Sequence, residues 1–386
     1  MTHREIFKAI VSHHGAGRVL VDQGKQVSSI HRSCYGAIRK AAGLPEKEGR
    51  ILDRMSQCVW SDEDLLERWG VDFRWLVPVW TQLEEMDADN YRNMWGTHFT
   101  NAGDYFAIAE PPLRDRPIEY LADHEWPDPD DLRMFAGLGK EAQKLRETTD
   151  YIVGADGLKG GVLQTALEMR GYDQFFIDLA IDPDFANELL ERITEIYAGM
   201  YRHYMDEVGQ HVQVVYLTDD FGTQSSLLMS QSMWDEFIRP REERIIKVIK
   251  SRADVKVIFH SDGSILPLID SMAEIGVDIL NPVQTSLADF RDTAALKKRF
   301  GGGISFHGGL DVQEFMRKAA TGQVRKEVAR LIRDLGADGG YILCTCHNIN
   351  RDIPPENLNA MFASAKELGS YPLDLELLDA VIAGKA

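Results

Sequence analysis

The sequence predicts one closed parallel (β/α)₈ TIM barrel with an elaborated amino-terminal region, on three observations. Short β-branched or aromatic apolar runs recur along the chain, each followed by a loop and then a longer segment of helical period. That alternation is what βα units around a parallel sheet produce. No linker, internal repeat or low-complexity tract divides the 386 residues. An open doubly wound sheet usually carries a glycine-rich turn after its first strand, whereas VDQGKQ here is not the GxGxxG pattern.

Eight runs supply the strands: 18–22, 73–77, 151–155, 212–217, 255–259, 277–281, 302–306 and 340–344. The stretch 79–149, rich in aromatics and holding EPPLRDRP, reads as an elaborated βα connection of the kind that forms a lid or an oligomer contact. Between strands, 183–206 repeats apolar residues at helical spacing from Phe185 to Met200, with Asp182 as N-cap and Pro183 at the first helical position. A second helix spans 232–252 with a break near Pro240, and a third, 356–368, follows Pro354 and Pro355. The whole chain, 1–386, is thus expected to be one barrel domain with an insertion.

Composition narrows the function classes. Lys and Arg number 43 against 61 Asp and Glu, a net charge of -18, so the long-range field repels nucleic acid and anionic membrane surfaces. No uncharged apolar run approaches the ~20 residues of a membrane span. Four cysteines (Cys34, Cys58, Cys344, Cys346) are too few and too scattered for a disulfide framework, and MTHREIFKAIVSHHG lacks the features of a signal peptide. A cytoplasmic enzyme acting on a small molecule is expected, and a homodimer is compatible with the insertion.

In a parallel barrel the residues just past each strand form the active face. After VVYL come Thr218, Asp219 and Asp220; after VKVIF, His260 and Asp262; after DIL, Asn281 and Gln284; after GGGISF, His307; after YIL, Cys344, Cys346 and His347. Asp219, Asp220, His307 and Gln224 of the TDDFGTQSS loop are the expected catalytic group, since a carboxylate or imidazole at a barrel mouth can move a proton. Either aspartate alone is read equally well as a turn carboxylate tying down the loop through Gly222. Asn281, Gln284, Asp72 and Arg74 of VDFRWL, and Tyr105 of the insertion are the expected substrate contacts.

His260 and Asp262 sit two apart on a strand-to-loop turn, where imidazole and carboxylate can reach a common cation, and Cys346 or His347 could complete the set. The bland reading is that His260 bonds a substrate or core group while Asp262 caps the helix starting near Ser264. Cys344 reads as core. The glycines after His307 suit either a close ligand approach or a structural turn.

Taken together, YLTDDFGTQSSLLMSQSMWDEFIRPR, FHSDGSILPLIDSMAEIGVDILNPVQ and HNINRDIPPENLNAMFASA, with looser matches nearer the amino terminus, resemble the uroporphyrinogen decarboxylase superfamily. It includes haem-pathway decarboxylases and zinc methyltransferases that move methyl groups between corrinoids and thiols. The resemblance implies an active cleft at the carboxyl face and sets His347 where the decarboxylases keep a substrate-binding histidine and the methyltransferases a zinc-binding cysteine. It retains His260 as a ligand and puts Asp262 where the methyltransferases have a cysteine. The decarboxylases' Met-Arg-Gln-Ala-Gly-Arg turn, whose arginines hold substrate carboxylates, is here VDQGKQVSSIHRS.

The leading expectation is a corrinoid-linked methyltransferase using zinc, with the corrinoid on a partner protein. The alternatives are a cofactor-free decarboxylase of a porphyrinogen or other carboxylated substrate, and a non-catalytic barrel that receives a corrinoid protein.

Overall fold

A computed structural model describes residues 1–386. Eight parallel strands form a barrel: β1 (Leu20–Val21), β2 (Phe73–Leu76), β3 (Ile152–Ala155), β4 (Val214–Thr218), β5 (Lys256–His260), β6 (Ile279–Asn281), β7 (Ser305–Leu310) and β8 (Tyr341–Thr345). Each pairs in parallel with its sequence neighbour from β2 to β8, and β8 returns to β1.

The seam between β1 and β2 has no strand ladder and is closed by Asp72. Its backbone N–H donates to the Val21 carbonyl (3.0 Å), and its carboxylate accepts the Val21 N–H (2.7 Å), standing in for a strand carbonyl. Arg18 holds that carboxylate through both terminal nitrogens (2.8 and 2.6 Å), and His3 Nδ1 lies 2.6 Å away. Asp72 precedes β2, at the barrel end opposite the strand carboxyl ends, so the expectation that it contacts substrate is corrected: it is a closure residue. Arg74 is corrected likewise. Its guanidinium turns out of the barrel to Glu63 (2.6 Å) and the face of Tyr151 (3.6 Å to the ring centre).

Strand alternation places Phe73, Trp75, Ile152, Val214, Tyr216, Ile258, Ile279 and Ile342 in the barrel interior, and the helix His3–Ile10 plugs its amino end with Ile6, Phe7 and Ile10. Gly154 is required in β3, because a Cβ there would lie 2.4 Å from the Trp75 ring. A larger core packs the outer strand faces on the surrounding helices.

The helix from Pro183 runs to Val208, with Asp182 accepting from Phe185 N–H as its cap. Near Pro240 the expected break is a widened turn: a π-helical segment Trp234–Ile238 feeds Arg239–Arg252, absorbing the missing proline N–H. The 79–149 connection contains a four-stranded antiparallel sheet between Glu84 and Glu110, followed by 3₁₀ turns and the helix Leu138–Thr148. A smaller three-stranded sheet (Ile30–His31, Ile51–Asp53, Cys58–Val59) grows from the β1–β2 connection. The seventh strand starts three residues later than expected and continues through Gly309, because Gly301–Gly303 make the turn leaving the preceding helix. No helix is long and apolar enough to cross a membrane.

Candidate active site

The inward positions at the carboxyl ends of the strands are polar almost all the way round: Asp22, Asp156, His260, Asn281, His307 and Cys344. They form two connected groups, one buried and one open.

The buried group centres on Lys25, whose side chain is 0% exposed. Its ammonium lies 3.2 Å from Asp22 Oδ2 and 3.0 Å from Ser28 Oγ, and 5.2 Å from the centre of the Tyr216 ring. Trp75 Nε1 and the Gln23 N–H both donate to Asp22 Oδ1 at 2.8 Å. Burial alone would raise the Asp22 carboxyl, but Lys25, His307 and Trp75 outweigh it and hold the group well below the usual carboxylate range. His307 Nε2 is 2.9 Å from Asp22 Oδ2. Burial and the nearby ammonium push the imidazole down to about 4, so it is neutral at pH 7. Asp156 accepts from the Gln26 and Gly157 N–H groups, yet burial pushes it up to about 7.

His307 connects to the open group through Asn281. Asn281 Nδ2 lies 2.7 Å from His307 Nδ1, while its Oδ1 lies 2.6 Å from His260 Nδ1 and accepts from Tyr216 OH at 2.9 Å. His260 Nε2 then faces Asp262 Oδ1 at 3.7 Å and Asp220 Oδ1 at 3.9 Å, and His347 Nε2 stands 3.8 Å from Asp262 Oδ2. One ligand-type atom from each of His260, Asp262 and His347 lies within 4.8 Å of the others. No lysine or arginine pairs with Asp220 or Asp262. Burial and the Asp262 charge push the Asp220 carboxyl up, with His260 and His347 opposing.

Two glycines bring these acids together. A Cβ on Gly263, at φ +92°, would lie 2.4 Å from Gly222 backbone, so the TDDFG and HSDG loops cross in direct main-chain contact. The Asp262 N–H donates to Asp220 Oδ1 (2.8 Å) across that crossing. Gln284 braces it, accepting the Gly263 N–H (3.2 Å).

Of the expected site residues, the structure gathers His260, Asp262, His347, Asp220 and Asn281 at the mouth, with Gln284 behind them. Asp219 is turned away as a helix cap: its carboxylate accepts the Leu163 and Gln164 N–H groups at 2.7 and 2.8 Å. Burial and Glu242 push that carboxyl far up. Gln224 is exposed in the turn between Thr223 and Ser226, with no partner. Tyr105 is 56% exposed at a hairpin end of the insertion sheet. Cys346 leaves the strand and points its thiol to the Val283 carbonyl (3.2 Å), outside the His260 group. Burial pushes that thiol far up, so it is no ready thiolate ligand. His307 lies within β7, one layer below the mouth, and a Cβ on the following Gly308 would lie 3.3 Å from Val283 N. Its glycines thus serve strand-to-loop packing.

Sequence reasoning passed over Asp22, Lys25, Asp156 and Tyr216. The signal was present: VLVD and VGAD each end a buried run on an acid, as the later strands end on polar residues. Lys25 lies in VDQGKQ, the turn that stands where the decarboxylases keep their arginines.

A cavity of about 650 Å³ lies between the barrel and the insertion. Val77, Lys159 and Glu168 come from the barrel side, and Trp60, Trp80 and Trp95 from the surrounding loops. Burial raises the Glu168 carboxyl, and Gln164 Nε2 links it (3.1 Å) to Tyr172 OH (2.7 Å).

A family model described as "Uroporphyrinogen decarboxylase (URO-D)" matches residues 105–368. The chain is similar to the uroporphyrinogen decarboxylase of Alkalilimnicola ehrlichii, 25% identical over 278 residues that cover 68% of this chain and 71% of the relative. That of Thermosynechococcus vestitus is 29% identical over 188 residues, 48% of this chain and 50% of the relative. Among solved structures, a methyltransferase from Methanosarcina mazei superposes with a TM-score of 0.66 at 16% identity, covering 95% of this chain and 99% of that one. At that identity the likeness speaks for the fold.

Proposed function

Since this chain belongs to the uroporphyrinogen decarboxylase family, we propose that it is a methyltransferase of that family whose acceptor is activated by a divalent ion, zinc by preference. The observation that carries the reading is the meeting of His260 Nε2, Asp262 and His347 Nε2 at the ends of β5 and β8 without any cationic side chain. Two ligands each about 2.1 Å from a tetrahedral ion sit about 3.4 Å apart. The imidazole-to-carboxylate separations are 3.7 and 3.8 Å, each to a different Asp262 oxygen, and the three ligand atoms lie within 4.8 Å of one another, so closing round an ion takes an inward movement of these side chains. Nitrogen and oxygen donors of this kind suit zinc, and His260 already has the outer hydrogen bond, to Asn281, that orients ligating histidines.

Zinc held there supplies a lowered pKa for a bound thiol or hydroxyl acceptor. The chain's own residues do the rest. Asp220, anchored through one oxygen by the Asp262 N–H, has its second oxygen free to take the acceptor's proton, and its raised pKa suits that task. His347, 42% exposed, sits on the solvent side, where substrate enters. In this reading the methyl group is exchanged with a corrinoid on a separate carrier protein, as the sequence resemblance implies.

Decarboxylation is the second reading, favoured by the names of the curated relatives. Against it, the lysine of the turn after β1 is spent inside the barrel on Asp22 and Ser28, where it cannot grip a polycarboxylate. Purified protein is expected to hold about one zinc per chain by elemental analysis, and its melting temperature to fall on chelation and recover with added zinc. Metal-free protein indifferent to zinc, turning over uroporphyrinogen as judged by absorbance, overturns the proposal.

A further inference from the structure

We infer that Asp22 and Lys25 are positioning residues that set which ring nitrogen of His260 carries the proton, acting through His307 and Asn281. The inference rests on the metal reading for its effect on zinc affinity, while the tautomer belongs to the metal-free protein.

Asp22 is the fixed end of this network. Its carboxylate can only accept hydrogen bonds, and its charge is already matched by the Lys25 ammonium 3.2 Å away. An imidazolium at His307 would add a second buried cation beside Lys25, so His307 is neutral and has a single N–H. Asp22 Oδ2, 2.9 Å from Nε2, requires that N–H at Nε2. His307 Nδ1 is therefore a bare acceptor, and the atom 2.7 Å from it must be the amide nitrogen of Asn281. The Asn281 carbonyl oxygen then faces His260 Nδ1 at 2.6 Å and the Tyr216 hydroxyl at 2.9 Å. A carbonyl cannot donate, so His260 carries its proton on Nδ1. In the neutral ring Nε2 is then the bare nitrogen, aimed between Asp220 and Asp262. The buried Asp22–Lys25 pair at one end thus fixes the amide orientation and the ring protons along the network.

The opposite direction can be satisfied from His307 onward once an amide at position 22 keeps its oxygen on the Trp75 and Gln23 donors and gives up the Lys25 contact, and that is what gives the Asp22 charge its role. An amide at position 22 could donate to His307 Nε2. His307 would then donate from Nδ1 to a flipped Asn281, whose amide would serve His260 Nδ1 and the Tyr216 oxygen. The His260 proton would move to Nε2, onto the atom a metal needs. The negative charge of Asp22, kept by Lys25, selects between the two.

The test is the ring-nitrogen NMR of His260 in full-length, metal-free protein labelled with ¹⁵N-histidine, assigned by its loss in His260→Gln. With the pH raised until the His260 ring is neutral, wild type is expected to show the Nδ1–H tautomer, and Asp22→Asn to convert it to Nε2–H and weaken zinc binding by roughly 10- to 100-fold. A wild type already in the Nε2–H form overturns the inference without need of any variant. So does an Asp22→Asn protein of unchanged circular dichroism that keeps the wild-type tautomer. A tautomer switch in a protein that never binds zinc supports the relay and sinks only the metal reading.

Discussion

Single residues in this barrel mouth are defined more by their neighbours than by their type. Asp219 and Asp220 are adjacent, yet one caps a helix through two backbone N–H groups while the other faces two imidazoles. Pattern reading could name the pair; only the path of the chain divides their roles, because neighbouring strand-end side chains point to opposite sides. Asp156 gives a residue-level prediction. Burial raises it to about 7 from an ordinary 3.8, so the folded state binds its proton more tightly than the unfolded chain. That contribution favours folding at low pH and is lost as pH rises from about 4 through about 7, on the order of 4 kcal/mol at most. Asp156→Asn loses an acceptor at every pH but no longer ionises. Denaturant unfolding at pH 5 and pH 8 should therefore show a smaller drop for the variant than for wild type. An equal drop would assign the pH dependence elsewhere.

At the scale of elements, the fold was legible and the closure was not. All eight strands fall within a few residues of the apolar runs, because inward and outward faces are both buried and each strand reads as continuous hydrophobic sequence. Helix starts at Asp182–Pro183 and Pro354–Pro355 follow from capping chemistry alone. What a linear pattern cannot show is a side chain acting as strand backbone, and so VDFRWL by itself points Asp72 toward substrate. Its removal tests the seam. Asp72→Ala would leave the Val21 N–H without a partner and uncouple Arg18 and His3, with an expected loss of about 2–4 kcal/mol in denaturant unfolding. A loss below ~0.5 kcal/mol would mean the β1–β2 seam is held by packing. The crossing of Gly222 and Gly263 was likewise hidden. Two glycines 41 positions apart carry no joint signal until the barrel lays their loops together.

For the molecule as a whole, closing the cylinder converts five scattered polar clusters into one rim and a charged interior beneath it. The rim inherits its chemistry from β4 through β8, while β1 to β3 supply the buried ion pair and the wall of the aromatic cavity. The negative net charge bears on long-range encounter. A fold shared with decarboxylases and methyltransferases alike leaves the reaction to be argued from the site. Two clusters in this barrel have ligand-type atoms close enough for an ion, His260–Asp262–His347 at the mouth and Asp22–His307–Cys344 below it. The second already holds a cation, the Lys25 ammonium, and burial pushes its Cys344 thiol up to about 11. The most direct measurement is anomalous diffraction at the zinc edge from crystals of the zinc-treated protein. A peak is expected about 2.1 Å from His260 Nε2, an Asp262 oxygen and His347 Nε2. A peak at the lower cluster, or none in either, would contradict the metal reading.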